Sequence, residues 1–317
     1  MYDTIIIGLG PAGLTAAIYA ARREMKVLII GKELGGQLVW ASEIENYPGF
    51  KSINSFELIE KMKDQVVNLR VEINNNEVKG IIKLENGGFI LKTEKQEYKA
   101  MTIIIAMGLS PRRLAIPGEQ ELTGKGVSYC ANCDGPFYKE KIVAVVGGGN
   151  SALDAAELLS KIAKKVYLIH RRDEFRGFEA LVEEVKKRDN IEMEICCELQ
   201  EIIGKEKVEK IRLINNQINE MKEIVVDGVF IEIGRIAHTD LISNLVKRDE
   251  KNQIVINEKC QTSTEGIFAA GDVTTVPFKQ ITIGTGQGTI AALAAYEYLQ
   301  LKQGKEIGKF FDRGRKQ

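Results

Sequence analysis

Two stretches of this chain carry the same alternation of apolar and permissive positions. Each has a short unbroken apolar run, a cluster of glycines, an Ala-rich amphipathic stretch and a second apolar run. The first, YDTIIIGLGPAGLTAAIYAARREMKVLII, opens the chain and predicts a strand, the turn Gly8-x-Gly10-x-x-Gly13, a helix and a strand from Lys26 to Ile30. The second, IVAVVGGGNSALDAAELLSKIAKKVYLI, repeats the layout with Gly147-x-Gly149-x-x-Ala152, a helix and a strand from Lys165 to Ile169. Glycines in such a unit allow a tight turn and close approach of backbone to a pyrophosphate, whose charge sits at the helix N-terminus. One such turn can equally be a plain connection. Two, each in a complete strand–helix–strand frame, predict two bound dinucleotides.

The rest of the pattern is less regular. Short alternating runs with Asn-rich and Gly-Gly breaks between Val66 and Lys99 predict hairpin strands. A similar strand series covers Glu209 to Gly234, after a helix from Glu179 to Arg188. Near the far end a short apolar strand leads to Gly271-Asp272 and then to a Gly-spaced, Ala-rich helix that could face a diphosphate or a ring system. A Gly-rich loop before a core helix would look the same. The tail GKFFDRGRKQ is polar and is expected to be mobile.

The residues after each second strand bear on which nucleotide binds. An NAD site wants an acid there for the ribose 2′-hydroxyl, whereas a 2′-phosphate wants arginines. The second unit continues His170-Arg171-Arg172-Asp173-Glu174-Phe175-Arg176, which points to NADPH, with a solvated basic cluster as the plainer alternative. The first ends Ile30-Gly31-Lys32-Glu33, which favours neither; FAD is the natural candidate.

The candidate chemistry lies just before the second unit, in VSYCANCDGPFY. Cys130 and Cys133 form a CxxC pair on the threshold of a nucleotide-binding unit, which suggests disulfide chemistry driven by that nucleotide. Structural zinc needs four ligands, and the chain has only two histidines, His170 and His238. Cys196 and Cys197 stand side by side in an expected strand, pointing to opposite faces, and with Cys260 they read as small buried residues. Asp134, next to the pair, could serve as an acid or base for thiols, or simply make the turn Asp134-Gly135-Pro136.

Composition narrows the setting. The chain has 317 residues, enough for two cores, and 44 basic against 44 acidic side chains, so no global charge suggests nucleic acid or membrane. No apolar run approaches the ~20 residues of a membrane span, and MYDTIIIG begins as a strand rather than a leader, so a cytoplasmic location is expected. Five cysteines are too few for a disulfide framework.

Taken together, GLGPAGLTAA, GGQLVWASEIENYPGF, CANCDGPFY, GGGNSALDAA, HRRDEFR and FAAGDV…KQITIGTGQG resemble, in order and spacing, the low-molecular-weight thioredoxin reductases. The likeness covers nearly the whole chain. The stretch GDVTTVPFKQITIGTGQG is also similar to the flavoprotein subunit of alkyl hydroperoxide reductases, which carries an extra N-terminal thioredoxin-like portion. The resemblance implies an α/β fold of two Rossmann-like domains of the three-layer ββα type. The NADPH domain, 115–239, is inserted between FAD-domain parts 1–114 and 240–317. The crossings are expected within Pro111–Gly118 and Gly234–Asp240, where the inserted domain would turn to alternate the dithiol and the nicotinamide at the flavin.

It further implies that FAD is held at Gly8, Gly10, Ala12, Gly13, Gly36, Gln37, Asn46, Gly271, Asp272 and Gln280. NADPH falls to Gly147, Gly149, Asn150, Ser151, Ala152, His170, Arg171, Arg172 and Arg176. By the same resemblance Cys133 is the thiol nearer the flavin, Cys130 attacks the partner disulfide and Asp134 is catalytic. The expected partner is thioredoxin or a thioredoxin-like protein, with the enzyme a homodimer. Alternatives are a glutaredoxin-like or peroxiredoxin partner, a ferredoxin-fed variant and a flavin-binding redox sensor without turnover. Three departures stand out: Gly234-Arg-Ile-Ala-His-Thr239 where GxxPNT is usual, Lys279 in place of a common arginine, and Gly31 in place of an acid at the first strand's tip.

Overall fold

The structure, a computed structural model, describes residues 1–40, 43–85 and 87–305; the tail expected to be mobile lies outside them. Among the described residues the helices are α1 (Pro11–Arg22), α2 (Ser55–Asn68), α3 (Ala131–Asp134), α4 (Asn150–Ser160), α5 (Glu179–Lys186) and α6 (Ile281–Lys302). The chain divides into two compact units: Met1–Leu38, Phe56–Ser110 and Ala237–Gln317 form one, and Val39–Ser55 with Pro111–Ile236 the other. The segment Val39–Ser55 thus groups with the second unit, whereas the sequence reading carried it with residues 1–114.

In the first unit, strand Tyr2–Ile7 lies parallel between Val27–Ile30 and Glu97–Ile105, with Glu72–Asn74 beyond Val27–Ile30. Both faces of these strands are covered, which explains why they read as unbroken apolar runs: helices α1 and α6 lie on one face, and Phe89, Leu91, Ile242 and Ile254 pack with Ile5, Ile7 and Ile105 on the other. Ile5, Ile6, Leu28, Ile29, Ile103 and Ile104 are fully buried. On its other edge the long strand Glu97–Ile105 serves two further neighbours. Its first half pairs antiparallel with Phe89–Lys92, and its last three residues pair parallel with Ile267–Ala269, which brings the C-terminal part of the chain into the same sheet. Helix α6 packs on α1 through small residues: a Cβ on Gly288 would fall 2.2 Å from the carbonyl oxygen of Ala12.

The second unit has three layers. Its centre is a parallel sheet in the order Val127–Ser128, Gly228–Ile231, Ile142–Val146, Lys165–His170, Ile191–Ile195. Helices α4 and α5 cover one face, with Ala152, Leu153, Ala156 and Leu159 set against Val143, Val145, Val166 and Leu168. The antiparallel strands Cys197–Ile203, Lys210–Asn215 and Glu220–Val225 cover the other, with Leu199, Ile202, Ile211 and Leu213 against Ala144, Val146 and Ile169. Cys196 corrects one expectation. It does not sit within a strand beside Cys197 but between two strands, in a left-handed conformation (φ +54°) where the chain passes from one sheet to the next. The chain's way into and out of this unit is narrow, since Arg112 N–H donates to Gly234 O at 2.9 Å.

Candidate active site

The first glycine turn is required sterically at two points. Gly8 has φ +120°, and a Cβ there would lie 2.2 Å from Ala106 O. One on Gly13 would lie 1.9 Å from Gly8 O, so strand and helix meet only because neither residue has a side chain. Gly10 caps α1 in extended conformation and faces Gly35 O and Gly36 Cα, 3.9 Å from where its Cβ would be. The result is a glycine-walled groove at the positive end of a helix, suited to a diphosphate. Gln37 Nε2 donates to Asp272 Oδ2 at 2.8 Å, joining the start of the chain to its C-terminal part. Gly271 N–H donates to Gln287 Oε1 at 2.8 Å, Ala12 abuts Gly271, and Gln280 caps α6. Lys279 braces this loop by donating to the carbonyls of Asp272 (3.0 Å) and Thr274 (2.7 Å). Gly31 sits against the turn: a Cβ there would be 3.1 Å from Leu9 Cγ and 3.2 Å from Leu9 N, so an acid at this tip would crowd it. Asn46 is exposed and falls in Val39–Ser55, which groups with the second unit.

The second turn is built alike. A Cβ on Gly147 (φ +151°) would lie 2.4 Å from Glu232 O and 2.7 Å from Ala152 Cβ, while Gly149, which caps α4, has open space above it. Two bonds tie the basic loop to this turn: Arg176 N–H donates to Gly148 O at 2.7 Å and Phe178 N–H to Asn150 Oδ1 at 2.8 Å. Arg171, Arg172, Arg176 and Ser151 are exposed there, an arrangement open to a 2′-phosphate. His170 is placed differently. It is buried, stacks on Phe175 and presses on the turn where Gly148 lacks a side chain, its Nε2 3.0 Å from Glu174 O. Burial, opposed by the Glu174 bond and reinforced by the nearby arginines, lowers its proton affinity.

Cys130 and Cys133 form a disulfide with Cα atoms 5.3 Å apart, Cys130 capping the single turn of α3. Buried Ser128 donates to Asp134 Oδ2 at 2.6 Å and accepts from Cys130 N–H at 3.1 Å. Asp134 Oδ1 is buried without a partner, and burial lifts this carboxyl above its ordinary range despite the Ser128 bond. A cavity of about 80 Å³ opens beside it, lined by Gly124, Gly126, Val127, Ser128, Asp134, Phe137 and Tyr138. An acid held partly desolvated beside a disulfide can store and deliver a proton. Cys196, Cys197 and Cys260 are buried, and burial pushes Cys260 up to about 11, which leaves it inert.

Sequence reasoning missed several residues around the dithiol. Ser128 is one. Glu119, buried, accepts from Tyr129 OH (2.9 Å) and from Ala115 N–H (2.7 Å). Glu232 is another, and its one signal was a carboxylate in the otherwise apolar run VFIEIG. Among the described residues no three His, Cys, Asp or Glu side chains converge as a metal site, and no helix is long and apolar enough to cross a membrane.

Two nucleotide turns with a dithiol between them define a class, and the comparison agrees: residues 2–288 match the family described as pyridine nucleotide-disulphide oxidoreductase. Within it, the chain is 40% identical over 304 residues to a thioredoxin reductase of Treponema pallidum, covering 95% of this chain and 98% of that one. It is 37% identical to a bifunctional thioredoxin reductase/thioredoxin of Mycobacterium leprae, spanning 68% of that protein. The crystal structure of thioredoxin reductase from Streptococcus pyogenes superposes with a TM-score of 0.90 at 39% identity, covering 95% of this chain and 99% of that one. The chain belongs to the thioredoxin reductase family. It is accordingly an oxidoreductase with FAD and NADPH as cofactors, and its two glycine-walled turns are of a kind that fits them.

Proposed function

We propose that this enzyme uses NADPH to reduce the disulfide of thioredoxin or a thioredoxin-like protein, working as a homodimer in the cytoplasm. The observation that carries the reading is the Cys130–Cys133 disulfide with Asp134 behind it, its Oδ1 buried and idle, in the same unit as the arginine loop. Gly8, Gly10, Ala12, Gly13, Gly36, Gln37, Asn46, Gly271, Asp272 and Gln280 hold FAD. Gly147, Gly149, Asn150, Ser151, Ala152, Arg171, Arg172 and Arg176 hold NADPH, with His170 supporting the turn from beneath.

FAD, when bound, supplies the means to pass the two electrons of a hydride on to a disulfide. The chain's residues do the rest. Reduction of Cys130–Cys133 breaks the S–S bond and takes up two electrons and two protons. Cys130 thiolate then attacks the partner's disulfide, forming a mixed disulfide and expelling one partner thiolate, which is protonated. Cys133 attacks the Cys130 sulfur, releases the second partner thiol and restores the internal disulfide. Asp134 holds a proton at Oδ1 for these exchanges, and Ser128 fixes its other oxygen.

Steady NADPH oxidation that depends on oxidised thioredoxin tests the reading. Cys133→Ser should keep FAD and abolish turnover. Cys130→Ser should also lose turnover and show a long-wavelength charge-transfer absorption from Cys133 thiolate against the flavin. Normal turnover of Cys130→Ser would mean that the assigned thiol roles are wrong, and activity with reduced ferredoxin alone would replace NADPH as the donor.

A further inference from the structure

The backbone on either side of Cys130 is held by two charged side chains that no step above uses. Both follow the strand Gly228–Ile231. Arg235 donates from its guanidinium to the carbonyl of Tyr129, the residue before Cys130, at 3.2 Å. Ala131 N–H, just after Cys130, donates to Glu232 Oε1 at 3.4 Å. Glu232 is fixed from behind, because its own N–H donates to Val146 O at 2.8 Å and its carbonyl packs where Gly147 has no side chain. One residue thus meets the dithiol segment with its side chain and the dinucleotide turn with its main chain.

We propose that Glu232 and Arg235 are positioning residues for the Cys130 thiol, a carboxylate–guanidinium clamp across the two peptides that flank it. Its two charges act on that thiol in opposite directions: Arg235 favours the thiolate and Glu232 opposes it. Burial lifts the Glu232 carboxyl to about 7, against the pull of Arg235 and the Ala131 N–H, so the opposing charge comes and goes near neutral pH. The other titratable groups around this segment differ in kind. Asp134 is bonded to Ser128, Glu119 is buried and accepts from Tyr129 OH, Tyr129 keeps its proton up to about 12, and burial lowers the proton affinity of His170 beyond the glycine turn.

The inference rests on Cys130 being the reactive thiol of the proposed reductase. Its test needs neither NADPH nor a protein partner, which separates failure of the clamp from failure of that reading. In FAD-loaded, full-length Cys133→Ser protein, the rate of Cys130 alkylation by iodoacetamide is followed against pH, with the labelled peptide identified by mass. Glu232→Gln should move the profile to lower pH and speed alkylation at pH 8, where the Glu232 carboxylate is charged, on the order of threefold, as a shift of about half a pKa unit gives, with little change at pH 6. Arg235→Gln should move it to higher pH by a similar amount, and Arg235→Lys, which keeps the charge, should restore it. Shifts in the same direction for both Gln variants, or no shift in either, would mean that the pair only supports the backbone, and the proposal falls. If Arg235→Gln loses FAD, Glu232→Gln alone decides: its profile must move to lower pH.

Discussion

Two half-buried carboxyls, Asp134 and Glu232, set the behaviour of single residues here, and both stand above their ordinary range because desolvation disfavours their charge. For Glu232 the consequence for stability has a definite sign. Its proton affinity is raised from 4.5 in the unfolded chain to about 7 in the folded one, so the folded state binds the proton more tightly. Stability is therefore full below about pH 4.5 and falls as the pH rises toward 7, by about 3 kcal/mol in all. Glu232→Gln should remove that slope, and urea unfolding midpoints taken between pH 5 and 8 should diverge from the parent in the variant's favour. Asp134→Asn keeps a partner for Ser128 but cannot carry the proton, and turnover with an oxidised partner should drop ~10²–10⁴-fold with FAD content unchanged. The two residues were unequally legible. Asp134 stood next to a CxxC, where local sequence suggests its chemistry; Glu232 lies far along the chain from Ala131, and only the parallel sheet brings them together.

At the scale of elements, the glycine turns were the readable part, because their steric demands are local. Gly8, Gly13 and Gly147 leave no room for a Cβ, and their spacing within two strand–helix–strand frames made them legible. The arginine loop was legible as charge, but not the two bonds that moor it to Gly148 and Asn150. Arg171→Ala with Arg172→Ala should raise the KM for NADPH ~100-fold or more while barely moving that for NADH, since each charge-assisted bond to a 2′-phosphate contributes roughly 1.5–3 kcal/mol. Equal weakening of both nucleotides would assign these arginines to folding instead. Helix packing gives a second test: Gly288→Ala on α6 places a methyl 2.2 Å from Ala12 O, so α1 and α6 must separate. That variant should purify with depleted FAD and a lower melting temperature. Periodicity misplaced Cys196, because two strands separated by one left-handed residue read as one longer strand.

The molecule as a whole consists of two compact units with separate nucleotide turns, so ligands should stabilise them separately. In calorimetry, added FAD should raise the transition of the unit holding Gly8, and NADP⁺ that of the unit holding Gly147. Arg171→Ala with Arg172→Ala should cancel the second shift and leave the first. A single transition moved equally by both ligands would show that the units melt as one. The 2.9 Å bond from Arg112 to Gly234 has a consequence for how the chain assembles. Closing a loop costs entropy that grows with the logarithm of its length, and the residues from Pro111 to Ile236 form a long one. Once they have folded their ends are already neighbours, and to the rest of the chain they count as little more than a tight turn. Assembly should therefore run inward first. Loosening the parallel sheet by Val145→Ala should slow the refolding of the outer unit, read by recovery of flavin binding, although no atom of that unit has been changed.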